Sequence, residues 1–440
     1  MSKTTIKSTL ARRVWDSRGR PTIEVEITLR YGAKGRAIAP AGASLGIGEA
    51  VESRDGGDAF GGLGVEAAVA TVNGEIAKTL KGRDAADQAS IDKLLIAVDG
   101  TADKSRLGGN TMIATSMAAA DAAADAHRMP LWQYLRDSNG QPAPTFLPLP
   151  EIQIFGGGVH AGGRVDVQEY MVIATGADSF AQALDWTAEV YRAAAGLMAD
   201  KGMLQGVADQ GGLWPNFNSN EEALELLMRA IEAAGLTPGQ DISLSLDIAA
   251  SQFGSKGKYH LARDGRTLDS DGLSGLLVDW IERYPIVCVE DPLAEGDKEG
   301  MIRFTWAVGK RVQVVGDDFL VTSAERIRAR ARDKACNAVL ITPNQAGTLT
   351  ETLAALSAAR KAGFNAIASA RSGDSEDVGI VHLATGWDIE QIKVGSITRG
   401  ERTAKWNEGL RIAGALAALA GEDGNIDGPL PPAGTFPWGK

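Results

Sequence analysis

The alternation of polar and apolar residues marks the first element of the chain. Within residues 15–38, polar residues at 22, 24, 26 and 28 alternate with apolar residues at 23, 25, 27 and 29. This period of two is typical of an antiparallel strand with one exposed face. A glycine-rich loop follows at 40–48, and helical patterns then cover 64–80 and 110–126. Strands followed by helices predict an α+β domain over residues 1–140.

The pattern changes after a proline-rich segment at 141–150, which we interpret as a linker. Short apolar runs that end in polar residues then alternate with helical segments, at 242–247, 286–291, 312–317, 338–342, 366–371 and 391–393. Their terminal polar positions are separated by 43, 27, 25, 27 and 24 residues. A step of about 25 residues accommodates one strand, one helix and two loops, so the runs predict parallel βα units. Residues 141–440 are therefore predicted to form a (β/α) barrel.

Composition and charge narrow the classes of partner. The 440 residues carry 45 Lys and Arg against 56 Asp and Glu, a formal net charge of −11. This balance argues against a broad nucleic-acid or anionic-membrane surface. The two cysteines, Cys288 and Cys336, lie in apolar runs and are interpreted as buried thiols. Alanine-rich runs are interrupted by charges before 18 residues, so we expect a cytoplasmic protein without a membrane span.

The ends of the predicted strands carry the candidate chemistry. In a barrel the carboxyl ends of all strands face one mouth, which brings Asp247, Glu290 and Asp317 together. Three neighbouring carboxylates repel one another and need a cation, and oxygen-only ligands favour Mg²⁺. The opposite rim carries cationic and hydroxyl side chains suited to a phosphate or a carboxylate, namely Ser369, Arg371, Ser372 and Lys393. These features predict a site for a small, phosphorylated or otherwise multiply anionic acid.

Several motifs of the chain occur in one order. They are DSRGRPTIEV at 16–25, GASLGI at 42–47, VHAG at 159–162, QEYM at 168–171, LDIAAS at 246–251, VEDP at 289–292, GDD at 316–318, NQAGT at 344–348, SARSG at 369–373 and QIK at 391–393. In this order they resemble the enolase (phosphopyruvate hydratase) family over nearly the whole chain.

The resemblance implies an enolase-type TIM-like barrel with an N-terminal α+β capping domain, whose early strands depart from regular βα alternation. It also implies two Mg²⁺ ions, a substrate of the 2-phosphoglycerate or phosphoenolpyruvate type, and a homodimer or larger assembly. By their positions in the family's motifs, Asp247, Glu290 and Asp317 would bind the first metal ion. Ser44 would be one ligand of the second. His160 and Glu169 match residues near the leaving hydroxyl. The residues matching substrate binders are Gln168, Ser369, Arg371, Ser372 and Lys393.

Three positions differ from the family pattern. The lysine that removes the C2 proton in enolase is replaced by Thr342, and the glutamate acid is replaced by Gln210. The histidine between the serine and the arginine of the anion motif is replaced by Ala370. Threonine and glutamine do not titrate near pH 7, so ordinary dehydration of 2-phosphoglycerate is predicted to be slow or absent.

Four functions remain open at this point. The first is an enolase-derived lyase in which Lys393 or His160 takes over proton transfer. The second is an enzyme that acts on another phosphorylated or phosphonylated acid, as the carboxyphosphonoenolpyruvate synthases do. A third reading is ligand binding without turnover. The fourth is a serine hydrolase, because Gly42-x-Ser44-x-Gly46 matches a nucleophile-elbow pattern.

Overall fold

The computed structural model describes residues 2–43, 45–421 and 426–439. Its first part is a three-stranded antiparallel sheet covered by helices. The strands are β1 (Ile6–Trp15), β2 (Pro21–Leu29) and β3 (Lys34–Ile38), in the order β1-β2-β3. The helices are α1 (Glu66–Thr71), α2 (Ala77–Leu80), α3 (Gln88–Asp99), α4 (Gly109–His127) and α5 (Leu131–Ser138). The predicted α+β domain is present.

The interpretation of β2 as a half-exposed strand is wrong. Nearly all of its residues are buried, including the polar Thr22 and Glu24. β2 is the central strand, and Glu24 forms ion pairs with Arg12 of β1 and Arg36 of β3. Long arginine side chains from both neighbours therefore cover the polar face that the alternation assigns to solvent.

Helix α4 packs directly on this sheet because both surfaces carry small residues. An added Cβ at Gly35 of β3 would lie 2.0 Å from the backbone nitrogen of Ala122. Only glycine permits this approach. The alanine-rich sequence of α4 therefore reflects close helix–sheet contact.

The second part is a closed barrel of eight strands among the described residues. They are β4 (Leu149–Gly156), β5 (Glu169–Ile173), β6 (Ser243–Asp247), β10 (Ile286–Glu290), β11 (Gln313–Gly316), β12 (Ala338–Ile341), β13 (Asn365–Ser369) and β14 (Gln391–Ser396). The last six correspond to the six predicted apolar runs, and β6 and β10 to β14 are parallel neighbours. The barrel and its N-terminal cap are confirmed.

The barrel begins irregularly, as the resemblance implies. β5 is antiparallel to both β4 and β6, and two helices in succession separate it from β6. β4 begins at Leu149, so the last two residues of the predicted linker belong to the barrel. A small hairpin sheet follows β6, made of β7 (Gly254–Ser255), β8 (Lys258–Leu261) and β9 (Arg266–Asp269).

Helices surround the barrel and connect its strands. They are α6 (Phe180–Asp200), α7 (Asn220–Ala233), α8 (Ser270–Arg283), α9 (Lys298–Val308), α10 (Ala324–Asp333), α11 (Pro343–Ala346), α12 (Leu349–Ala362), α13 (Gly379–Gly386) and α14 (Gly400–Ala420). Side-chain caps begin most of them; for example, Ser179 accepts a hydrogen bond from the backbone of Gln182 at the start of α6. The strand ends are thereby held at one mouth of the barrel.

Candidate functional site

The carboxyl ends of the strands line one polar cavity. It includes every sequence-predicted site residue that the structure describes: His160, Gln168, Glu169, Gln210, Asp247, Glu290, Asp317, Thr342, Ser369, Arg371, Ser372 and Lys393. Strand pairing explains the proximity, because Asp247 lies opposite both Glu290 and Glu169 in the sheet, and Ser369 lies opposite Lys393. Ser44, predicted as a metal ligand, lies outside the described residues.

Lys393 occupies the centre of the carboxylate wall. Its Nζ donates hydrogen bonds to Asp247 Oδ2 at 3.0 Å and Glu290 Oε2 at 2.7 Å. Burial alone would lower the pKa of Lys393, but the charges of Asp247, Glu169 and Glu290 raise it well above its usual value. The depressed pKa that a base requires therefore depends on cations that neutralise these carboxylates.

The electrostatics of the three predicted metal carboxylates favour a bound cation. Burial raises the pKa of Glu290 well above its usual value, and the charges of Asp247 and Asp317 raise it further. Burial also raises the pKa of Asp317, to about 6. Carboxylates that repel one another in a buried site bind a hard cation favourably, because its charge offsets both penalties.

A neighbouring aspartate fixes the position of Asp317. Asp291 accepts hydrogen bonds from the backbone nitrogens of Asp317, at 3.1 Å, and Asp318, at 2.7 Å. Carboxylate oxygens of these three residues approach within 4.8 Å of one another. Gln345 Nε2 donates to Asp317 Oδ1 at 2.7 Å from the opposite side. These contacts hold the Asp317 carboxylate at the cavity wall.

The anion rim carries the predicted cation. The side chain of Arg371 is 9% exposed, and its Nη1 donates to Glu49 Oε2 at 3.2 Å. Burial alone would lower the pKa of Arg371, but Glu49 and Asp317 raise it. Ser372 accepts a hydrogen bond from Arg18 at 3.2 Å, and the Ser369 hydroxyl donates to the carbonyl of Ala370 at 2.9 Å. The rim therefore holds an arginine able to bind phosphate through two parallel hydrogen bonds.

The Arg371→Lys variant is expected to weaken Mg²⁺-dependent binding of phosphoenolpyruvate by about ten- to a hundredfold, because an ammonium cannot reproduce the paired guanidinium contacts. Isothermal titration calorimetry measures the effect. Arg283→Lys on the exposed face of α8 is the control and should bind like the wild type. Unchanged affinity in Arg371→Lys would contradict the assignment of the anion site.

His160 and Glu169 meet at Gln210. Gln210 Nε2 lies 2.7 Å from His160 Nε2 and 2.8 Å from Glu169 Oε1. Burial alone would lower the pKa of His160, but hydrogen bonds and charges of Asp209 and Glu169 raise it to about 9. Burial opposes ionisation of Glu169, yet Lys393 and His160 hold its pKa at about 2.

The contact of His160 with Asp209 suits proton donation. Asp209 Oδ1 lies 2.9 Å from His160 Nδ1, so the ring is paired on the side away from Gln210. A doubly protonated ring cannot accept a hydrogen bond at Nε2, so protonation of His160 requires the Gln210 amide to turn its oxygen towards the ring. Gln210 thus links the protonation of His160 to its contact with Glu169.

Thr342 contributes no charge to the cavity. It is buried directly after β12, and its Oγ1 has no hydrogen-bond partner among the described residues. The backbone nitrogen of Thr342, by contrast, donates a hydrogen bond to Thr322 Oγ1 at 3.0 Å. The residue therefore presents an unpaired hydroxyl where the family has an amine.

Three residues at the site were not assigned roles from the sequence: Glu49, Asp209 and Gln345. Glu49 pairs with Arg371 across the domain boundary, a contact that no local pattern indicates. Asp209 and Gln345 are the sequence neighbours of Gln210 and Asn344. The motifs therefore indicated that they lie near the site, but did not indicate their contacts.

The serine hydrolase reading is not supported around position 44. A nucleophile elbow needs a strand, a sharp turn and a helix. The described residues 45–58 contain no helix. His260 and His382, the histidines available for such a triad, do not line the cavity described above.

No helix in the described ranges has the length and apolar character needed to cross a membrane.

Comparisons with known proteins agree with this architecture. The family model for the enolase N-terminal domain matches residues 6–135, and that for the enolase C-terminal TIM barrel domain matches residues 144–427. The chain is 47% identical over 418 residues to "Enolase 1" of Desulfitobacterium hafniense (strain Y51). This alignment covers 94% of the present chain and 95% of the relative.

Proposed function

The chain belongs to the enolase family, and from this premise we propose that it is a Mg²⁺-dependent lyase for a small phosphorylated carboxylic acid, with Lys393 as the base. One observation carries the proposal. Lys393 is the lysine among the cavity-lining residues, and it lies between two of the carboxylates assigned to the metal. Neither Thr342 nor Gln210 offers an ionisable group.

The chemistry explains the arrangement of charges. Removing a proton beside an ionised carboxylate produces a dianion, which requires concentrated positive charge. Asp247, Glu290 and Asp317 would hold Mg²⁺, which supplies that charge when bound. Arg371 binds the phosphate and Lys393 Nζ receives the proton from the α-carbon. Asp247 and Glu290, when they hold the cation, would no longer pair with Lys393 and retain its proton.

His160 is the candidate acid for the leaving hydroxide. Its pKa of about 9 keeps the ring protonated at neutral pH, and its contact with Glu169 directs it towards the cavity. Gln210 lies between the two groups and has no ionisable proton of its own.

The dependence on Mg²⁺ tests the proposal. EDTA is expected to abolish phosphoenolpyruvate binding, and excess Mg²⁺ should raise the unfolding temperature by a few degrees, since a ligand at about 100 times its Kd stabilises a fold by about 2.7 kcal/mol. Asp247→Asn should lose both effects in calorimetry and thermal unfolding. The control Asp279→Asn, an exposed carboxylate on α8, should keep them. A wild type that binds equally well in EDTA, or Asp247→Asn with unchanged Mg²⁺ dependence, would show that these carboxylates do not serve a metal.

A further inference from the structure

A strained turn lies directly behind the carboxylate wall of the cavity. Val321 and Thr322 both have a left-handed backbone, with φ of 46° and 49°. Branching at Cβ makes this conformation unfavourable for valine and threonine, so two such residues in succession are a genuine outlier. Strain of this kind persists only where the surroundings hold it in place, and it clusters at functional sites. The turn therefore indicates a role in the site.

Both ends of this turn are fixed. The carbonyl oxygen of Asp317 accepts hydrogen bonds from the backbone nitrogens of Leu320 and Val321, at 3.0 and 2.7 Å. Ser323, the next residue after the turn, caps α10 and accepts a hydrogen bond from the backbone of Arg326. The turn is thus held at one end by a residue assigned to the metal and at the other end by a helix.

The hydroxyl of Thr322 is held between two partners. Its Oγ1 accepts a hydrogen bond from the backbone nitrogen of Thr342 at 3.0 Å, and a backbone N–H can only donate. The hydroxyl hydrogen therefore points elsewhere, and the shorter of its two contacts is with Gln345 Oε1, at 2.7 Å. The longer one, at 3.3 Å, is with the carbonyl oxygen of Leu340. Thr322 and Gln345 are both 2% exposed, so water does not compete for these contacts.

Gln345 extends this contact to both walls of the cavity. Its Nε2 donates to Asp317 Oδ1 at 2.7 Å and to Glu49 Oε1 at 3.3 Å. These contacts use both amide hydrogens, and a reversed amide would place its oxygen against two carboxylates. Glu49 Oε2 in turn accepts a hydrogen bond from Arg371. The partners at both ends of the Gln345 side chain thus require the same orientation of its amide.

We propose that Thr322 is a positioning residue that, through Gln345, holds Asp317 in place for the divalent cation. The same amide holds Glu49 beside Arg371 and so orients the arginine for the phosphate. Thr322 does not line the substrate cavity, so it acts through Gln345. The strained backbone keeps its hydroxyl at the end of this amide. The inference rests on the proposed function, since it takes Asp317 as a metal ligand.

Removal of the Thr322 hydroxyl tests this role through Mg²⁺ binding itself, measured by isothermal titration calorimetry without a phosphorylated ligand. Thr322→Val keeps the branched shape but cannot donate to Gln345. It is expected to weaken Mg²⁺ binding by about tenfold, as the loss of a residue that orients a metal ligand does. Thr322→Ser keeps the hydroxyl and should restore the affinity to within about twofold of the wild type. The control Thr187→Val removes a buried hydroxyl from α6, away from the cavity, and should leave the Mg²⁺ affinity unchanged.

Gln345→Met tests the same contact without altering the strained turn, and it decides the question if Thr322→Val does not fold. It should weaken Mg²⁺ binding by about ten- to a hundredfold. At saturating Mg²⁺ it should also weaken phosphoenolpyruvate binding by about threefold or more, since Glu49 loses a hydrogen bond. The double variant Thr322→Val with Gln345→Met should bind Mg²⁺ like Gln345→Met alone, because the hydroxyl then has no amide to orient. Thermal unfolding verifies that each variant is folded.

The outcomes are distinct. Wild-type Mg²⁺ affinity in folded Thr322→Val, or equal losses in Thr322→Val and Thr322→Ser, would overturn the inference and leave the proposed function intact. The same holds if Gln345→Met keeps the wild-type affinity for either ligand, or if the two losses add in the double variant, as a general loss of packing would make them do. A wild type that binds no Mg²⁺ would overturn the proposed function and, with it, this inference.

Discussion

Replacement of Lys393 by methionine is expected to lower turnover of the phosphorylated acid by about a hundred- to ten-thousandfold, the range associated with losing a positioned general base. Methionine resembles lysine in length but carries no amine, so the cavity keeps its shape. The substitution also removes the hydrogen bonds of 3.0 Å and 2.7 Å to Asp247 and Glu290. Steady-state kinetics with excess Mg²⁺ measure kcat, and calorimetry measures ligand affinity separately.

The exposed Lys310 offers a matched control. Lys310 follows the end of α9 and does not line the cavity, so Lys310→Met should leave kcat unchanged. Binding of phosphoenolpyruvate by Lys393→Met should weaken far less than kcat falls, because Arg371 and the metal remain. A variant that retains the wild-type kcat would exclude Lys393 as the base.

The double variant Thr342→Lys with Gln210→Glu is expected to raise the dehydration of 2-phosphoglycerate by a hundredfold or more over the wild type. It places an amine at the end of β12 and a carboxyl beside Glu169, where Gln210 Nε2 now lies 2.8 Å from Glu169 Oε1. Two carboxylates at that distance share one proton, so one of them becomes an acid at neutral pH. Phosphoenolpyruvate absorbance follows the reaction.

The single variants are the controls for this gain. Each supplies only the base or only the acid, so each should gain less than the double variant, and their effects should not add. Thermal unfolding shows whether the buried site tolerates the new charges. A folded double variant with no gain would mean that positions 342 and 210 do not account for the loss of the ordinary reaction.

The fold was predictable where each element carried its own pattern. The six parallel strands, β6 and β10 to β14, are short and mostly apolar runs, since helices cover them outside and side chains fill the barrel inside. β4 was missed because it contains Glu151 and Gln153, which are buried. Glu151 accepts a hydrogen bond from Gln391 at 3.1 Å and another from Ser245. Polar residues paired inside a barrel do not follow the apolar pattern of a buried strand.

The positions of the site residues were predictable, but their contacts were not. Strand ends converge in any barrel, which placed Asp247, Glu290 and Lys393 in one cavity. That Lys393 lies between the two carboxylates depends on side chains crossing from β14 to β6 and β10.

Exchange of the C2 proton of 2-phosphoglycerate in D₂O, followed by NMR, tests the central claim most directly. Exchange needs only the base and the metal, so it is independent of the acid lost at position 210. We expect Mg²⁺-dependent exchange in the wild type and none in Lys393→Met. Exchange that persists in Lys393→Met, or its absence in wild-type protein that binds the ligand with Mg²⁺, would contradict proton abstraction by Lys393.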